Sequence, residues 1–331
     1  MVVLGLTAAV VALAAATRGV DDDEQELAES LDALVEAGMP GALVRVRDGD
    51  RTIELARGEA SPGIRFRVAS LTKTFVAALA LRLADHGVLS LDDPVDAYLP
   101  GLLHDGDPIT IRRLLNHTAG LFDYTGDPDL LRGELPPRAL IRIADGHERT
   151  TGYAYSSTNY LVLGLVLEKA TGTPLGELLR REVFEPFGLD DTTFEAGRVD
   201  GPHLHGHSLA TRDGVATGSL HDTSERPATS AWAAAAAVST AADLERFMRV
   251  LATSGFAARM APPEDARYGL GLGRAQLPCG PVLSHTGNLL GTVTVVRMRC
   301  DRISVVAGNV YPFTREVSER FEELLELAGC S

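Results

Sequence analysis

Hydrophobic positions recur at helical spacing over residues 24–36, an acidic amphipathic segment stopped by Gly38-Met39-Pro40-Gly41. Apolar and polar residues then alternate over 42–47 and 52–56, joined at Asp48-Gly49-Asp50, which predicts a hairpin. Over 74–84 the apolar side chains surround the whole helix, so this helix is predicted to lie buried at the centre of the molecule, with Gly87 ending it. From there to about residue 235 the pattern is mainly helical, over 112–117, 135–143, 159–170 and 174–183, and the alanine tract at 233–237 reads as a tightly packed helix. Alternation returns over 268–277, 281–286, 291–299 and 302–309, with Asp301 in a tight turn, before a last helix over 315–327.

Strands from both chain ends must therefore share one sheet. The pattern predicts an α+β fold in which an antiparallel sheet is flanked by N- and C-terminal helices and carries a mainly helical insertion over about 75–235. No internal repeat is present.

Residues 2–16 form an apolar run ending in Ala14-Ala15-Ala16 and followed by Asp21-Asp22-Asp23-Glu24. This reads as a secretory leader over 1–17, with residues 18–331 as the mature, extracellular domain. The run is shorter than the ~20 residues that cross a bilayer, so no membrane span is expected after leader cleavage. The formal charge of −14 and pI near 5.1 exclude nucleic acid and anionic membrane surfaces as partners and favour a small-molecule or peptide substrate. A monomer is expected. In a secreted setting Cys279, Cys300 and Cys330 form one disulfide and one leftover thiol, and their spacing leaves the three pairings open.

Only two of the 31 basic residues are lysines, and one of them, Lys73, follows Ser70 by three positions in Ser70-Leu71-Thr72-Lys73. An arginine cannot release its proton near neutral pH, whereas a buried lysine amine can. At the amino end of a helix, Ser70 and Lys73 share a face, and burial together with the positive helix end disfavours the ammonium form. Lys73 is therefore a candidate base for a Ser70 nucleophile. The bland alternative is a helix N-cap beside a snorkelling lysine.

Tyr155-Ser156-Ser157 stands in a polar loop before a helix, where a phenol near the lysine ammonium is pushed toward phenolate and can relay a proton. His285-Thr286-Gly287 ends a strand; Thr286 offers a hydroxyl, Gly287 permits close approach, and the Asn288 N–H can face the same cleft. His203, His205 and His207 alternate, but no carboxylate or cysteine accompanies them at ligand spacing, so a solvated loop is favoured and neither metal nor cofactor is expected.

Taken in order, Ser70-Leu71-Thr72-Lys73, Tyr155-Ser156-Ser157 and His285-Thr286-Gly287 resemble the motif set of the penicillin-recognising serine hydrolases, with the class C β-lactamases and the secreted actinomycete D-alanyl-D-alanine carboxypeptidases nearest in look. Further stretches at 114–121, 159–164, 238–244 and 268–273 are similar to the same family. The resemblance implies an active site between sheet and helical domain, an acyl-enzyme on Ser70, Lys73 as base and Tyr155 as proton relay. It implies an oxyanion hole of the Ser70 and Asn288 N–H groups, with Thr286 and His285 holding a substrate carboxylate and Arg274 as a further carboxylate ligand. It also implies a Cys279–Cys330 disulfide.

One departure is that the family's middle motif usually ends in asparagine, where this chain has Ser157. The activity implied is a D-Ala-D-Ala carboxypeptidase that β-lactams acylate; a β-lactamase, a D-aminopeptidase or an esterase uses the same machinery. A non-catalytic penicillin-binding sensor is the reading from another class.

Overall fold

The structure, a computed structural model, describes residues 20–104, 108–127, 130, 134–212 and 215–330. The expected leader over 1–17 lies outside the described residues. Helix α1 (Val20–Glu36) leads into strands β1 (Gly41–Asp48) and β2 (Arg51–Gly58), then the short β3 (Phe66–Arg67). Helix α2 (Thr72–Asp85) follows, and then the helices α3 (Ile111–Leu115), α4 (Pro137–Asp145), α5 (Ser157–Thr171) and α6 (Leu175–Leu179). Next come β4 (Thr193–Phe194), β5 (His207–Arg212), β6 (Val215–Asp222), α7 (Trp232–Ala235), β7 (Ala237–Ser239), α8 (Ala241–Thr253) and α9 (Phe256–Met260). The chain closes with β8 (Gly273–Leu277), β9 (Gly280–Leu289), β10 (Thr292–Arg299), β11 (Arg302–Gly308) and α10 (Arg315–Cys330).

Six strands form one antiparallel sheet in the order β2-β1-β11-β10-β9-β8. The two chain ends meet where β1 pairs with β11, with Val44 opposite Val306. All seven residues of β11 are buried, because both faces of the sheet are covered. On one face Val44, Val46, Val293, Val295 and Val306 pack against Leu27 and Leu31 of α1 and Phe321, Leu324 and Leu325 of α10. On the other, Leu43, Val296, Met298, Ile303 and Val305 meet the core that contains α2 and α8. The period of two along each strand divides its side chains between these layers.

Helix α2 is buried at every position from Thr72 to Leu81, as its all-round apolar pattern predicts. Each fully buried Leu or Phe there contributes about 1.5–3 kcal/mol by leaving water. Helix α5 ends at Gly172, whose left-handed φ of 68° terminates the hydrogen-bond ladder. Its Gly164 lies so close to α7 that an added Cβ would sit 2.7 Å from the Ala233 Cβ, which explains why the alanine tract is small.

Three expectations differ in extent. The 268–277 segment is strand only from Gly273, the helix at 112–117 ends at Leu115 because His117 takes a φ of 59°, and the insertion also carries the β5–β6 hairpin. Cys279 and Cys330 form the disulfide, and Cys300 is free and exposed.

Candidate active site

The turn bearing Ser70 is held from both sides. The Val68 amide donates to the Ala237 carbonyl, and the Ala237 amide donates to the Thr72 hydroxyl, so β7 brackets the start of α2. Within this frame Ala69 adopts a φ of 51°, a left-handed conformation that a Cβ-bearing residue keeps only under tertiary constraint. The 69–71 turn leaves its first amides without partners in the helix, and these include Ser70.

Lys73 is fully buried and its Nζ lies 3.1 Å from Ser70 Oγ and 3.0 Å from the Ala234 carbonyl oxygen. Burial pushes its pKa down to about 7, with the Asp123 carboxylate opposing. A neutral amine donates one hydrogen to Ala234 and turns its lone pair to the Ser70 hydroxyl. Tyr155 stands with its ring centroid 5.1 Å from Lys73 Nζ. Burial pushes the phenol up, with the Ser70 hydroxyl opposing, although 36% of the residue stays open to the cleft. Where the sequence suggests a phenolate, burial favours the protonated phenol.

Strand β8 begins at Gly273, opposite Ser284, so residues 285–289 of β9 run on beside the nucleophile turn without that neighbour. Gly287 is where they touch: an added Cβ would fall 2.5 Å from the Val68 carbonyl oxygen and 2.7 Å from the Ser70 nitrogen. Ser70, Tyr155, Ser157, Thr286, Gly287 and Asn288 all line one cavity of about 620 Å³. Ser70, Lys73, Tyr155, the Asn288 backbone and Thr286 are thereby brought to one place.

Two side chains are placed otherwise than expected. His285 is buried, and its Nε2 accepts from the Tyr268 hydroxyl at 2.8 Å while Nδ1 donates to the Thr286 carbonyl at 2.7 Å. Burial holds it neutral, with its pKa pushed down to about 3. Strand alternation turns Thr286 to the cleft and His285 inward, so the imidazole offers a substrate carboxylate neither charge nor a free N–H. Arg274 lines a smaller cavity with Tyr155 and Thr286, but it gives its guanidinium to the carbonyls of Pro262, Pro263 and Glu264.

Ser157 is the first residue of α5, and its amide donates to Asp123 Oδ1 at 3.0 Å. The amide group in this region belongs to Asn159, which bonds His117 Nδ1 at 3.1 Å. His117 packs against the Tyr155 ring at 4.2 Å between centroids and against Tyr268 at 4.7 Å. Its Nδ1 accepts from Ser156 N as well, which leaves the hydrogen on Nε2. His117, Asp123, Tyr268 and the Ala234 carbonyl escaped the reading of single motifs; only His117 and Tyr268 fell within stretches singled out for resemblance.

Of the three histidines of 203–207, His203 and His205 lie 5.0 Å apart between ring centroids, but each of the three has a different polar partner. His203 bonds the Gly201 carbonyl, His205 meets Asp222, and His207 meets Glu59. Among the described residues no group of three or more His, Cys, Asp or Glu residues is arranged to hold a metal ion.

A serine one helical turn from a buried, readily neutral amine, with a phenol and a free strand edge beside it, defines a serine hydrolase of the acyl-transfer class. The chain belongs to the family described as Beta-lactamase, which it matches over residues 8–328. The D-stereospecific amidohydrolase from Streptomyces sp. is similar at 31% identity with a TM-score of 0.78, covering 89% of this chain and 97% of that one. Esterase EstB of Burkholderia gladioli is 35% identical over 58% of this chain and 59% of its own length. D-alanyl-D-alanine-carboxypeptidase/endopeptidase AmpH of Escherichia coli is 27% identical over 48% of this chain and 46% of its own. The chain spans about half the length of these two curated relatives.

Proposed function

We propose that this chain is an exported serine amidohydrolase that cleaves the amide bond on the carboxyl side of a D-amino acid residue through an acyl-enzyme on Ser70. The neutral Lys73 amine takes the Ser70 proton as Oγ attacks the carbonyl carbon. The oxyanion is received by the Ser70 and Asn288 N–H groups, each such donor being worth roughly 10²–10³ in rate. The proton held by Lys73 passes through the Tyr155 phenol to the leaving nitrogen, and the C–N bond breaks. Water then attacks the ester, its proton returns by the same groups, and Ser70 is released.

The observation that carries this reading is the surroundings of Thr286. The hydroxyl faces the cleft, but His285 is neutral with both nitrogens engaged and Arg274 is committed to three carbonyls. The arginines that share a cavity with Thr286 are Arg274, which three backbone carbonyls already hold, and Arg226, beyond Ser70 in the larger one, so no cation is dedicated to a free carboxylate beside the scissile bond, which favours an uncharged leaving group. The likeness to the Streptomyces amidohydrolase supports the amide bond and the D-configuration. The disulfide supports export.

A D-Ala-D-Ala carboxypeptidase is the second reading, favoured by the exposed Thr286 within His285-Thr286-Gly287 and by the likeness to AmpH. Turnover of a D-Ala-D-Ala peptide is to be compared with that of its C-terminal amide, alongside D- and L-phenylalanine amide and the Ser70→Ala variant. We expect the amidated peptide and the D-amide to be the better substrates. Faster cleavage of the free carboxylate form would reverse the assignment in favour of the carboxypeptidase.

A further inference from the structure

The cavity that holds Ser70 continues well past it, to Ser208, Thr223, Arg226, Tyr311 and Pro312. Arg226 is the basic side chain of that lining, on a chain whose net charge is −14. Its place is fixed by the backbone. Asp222 Oδ1 accepts from Ser224 N, the Arg226 amide donates to the Thr223 carbonyl at 3.1 Å, and the ring of Pro227 narrows the backbone choices of Arg226 itself. The Thr223 hydroxyl reaches the Leu290 carbonyl oxygen at 2.6 Å, which fastens this turn to the end of β9, the same strand that carries Thr286 and Asn288.

The acidic groups around Arg226 are engaged elsewhere. Glu225 pairs with Arg198 at 3.0 Å, and Asp222 is occupied by Ser224 and His205. Among the described residues no carboxylate or carbonyl accepts from the Arg226 guanidinium. A planar, always-charged fork therefore faces a concave site with its donors unused, a geometry suited to a carboxylate held by two hydrogen bonds.

The two cavities that share Tyr155 and Thr286 decide which part of the substrate meets it. The smaller, of about 240 Å³, is bounded by Tyr153, Tyr268, Gly273, Arg274 and His285 and does not include Ser70. Tyr155 borders this side as well as the larger cavity, so a leaving group that it protonates has room here. The acyl portion, bonded to Ser70, stays in the larger cavity with Arg226.

We propose that Arg226 binds an anionic group carried on the acyl portion of the substrate, several bonds from the scissile carbonyl, so that the site selects acidic D-aminoacyl chains. This rests on the acyl-enzyme reading above. The probes are N-succinyl-D-alanine p-nitroanilide and its near-isosteric neutral counterpart, N-butyryl-D-alanine p-nitroanilide. The ratio of kcat/KM, succinyl over butyryl, should be about tenfold or more in the unaltered protein, as expected for a charge-assisted pair. It should fall toward unity in Arg226→Ala, persist largely in Arg226→Lys, and shrink as salt is raised.

A ratio unchanged by Arg226→Ala overturns the proposal while leaving the hydrolase reading standing. If neither anilide is turned over, the hydrolase reading fails by itself. The proposal is then decided by calorimetric binding of N-succinyl-D-alanine amide to the Ser70→Ala protein with and without Arg226→Ala, equal affinities sinking it.

Discussion

Tyr268 donates its phenolic hydrogen to His285 Nε2 at 2.8 Å, and this contact fixes the tautomer of the imidazole. The opposite nitrogen then must carry the hydrogen that Nδ1 gives to the Thr286 carbonyl. The histidine thus positions the backbone of Thr286 rather than binding charge.

Its titration tests this. With the pKa pushed down to about 3 by burial, His285 should remain a neutral Nδ1–H tautomer across pH 5–8 in ¹⁵N-resolved NMR. Because the folded pKa lies below the unfolded value, the unfolded chain binds the extra proton. The contribution is present above pH ~6.5 and is lost as pH falls toward 3. A His285 resonance titrating near 6.5 would contradict the arrangement. His285→Ala should lower kcat/KM through Thr286 without adding or removing a limb of the pH profile.

Lys73 does set a limb of that profile. Acylation needs the neutral amine, so kcat/KM should rise with pH through a midpoint near 7 and level off above it. At pH 6 about one-tenth of the enzyme would hold the active form. Stability follows the same direction: the unfolded lysine keeps a proton that the folded one gives up, so stability from this group increases between pH ~7 and ~10.5. Stopped-flow acylation and denaturant titrations across pH 6–10 measure both. Lys73→Arg, permanently charged, should lose about 10²–10⁴ in acylation rate.

Gly287→Ala should abolish hydrolysis while leaving a folded protein. The new methyl would strike backbone atoms, the Val68 carbonyl oxygen and the Ser70 nitrogen, and these cannot rotate away as a side chain would. Strand β9 would have to retreat from the nucleophile turn, opening the oxyanion hole. Circular dichroism should remain near that of the unaltered protein while activity falls at least ~10²-fold. Near-normal activity would show that the strand edge is not the wall of the hole.

Tyr155→Phe separates proton relay from packing. The ring contact with His117 survives, but the hydroxyl that faces Ser70 is lost. An amide leaves as an amine only if protonated, whereas p-nitrophenolate leaves unaided. The variant should therefore lose about 10²–10⁴ on amide substrates and much less on p-nitrophenyl esters. Equal losses on both would move the relay to another group.

The fold was legible where local patterns and burial agree. The apolar girdle of α2 predicted a buried helix, and alternation at both chain ends predicted the shared sheet, since both signals arise from the period of the element itself. Ser70 and Lys73 were legible because one helical turn fixes their separation regardless of tertiary context. The partners of Arg274 and His285 were not legible because each lies on distant chain: the carbonyls of 262–264 for Arg274, the phenol of Tyr268 for His285. The hairpin at 207–222 was not legible because the sequence around His203, His205 and His207 reads as a solvated loop, whereas their partners lie on Gly201, Asp222 and Glu59.

The Cys279–Cys330 bond gives a last prediction, about stability rather than chemistry. It ties the last turn of α10 to the β8–β9 turn, 51 residues apart in sequence, while Leu324, Leu325 and Ala328 hold the same helix to the sheet by burial. Closing a loop of that length restricts the unfolded chain, so the Cys279→Ser/Cys330→Ser variant should be less stable by roughly 2–4 kcal/mol. The cleft lies at the other end of β9, so kcat/KM below the new unfolding transition should stay within about twofold of the unaltered protein, the additivity expected of distant sites. Denaturant unfolding paired with steady-state assays checks both halves. A loss of activity without loss of stability would mean that α10 sets the position of the Thr286 edge through the length of the strand.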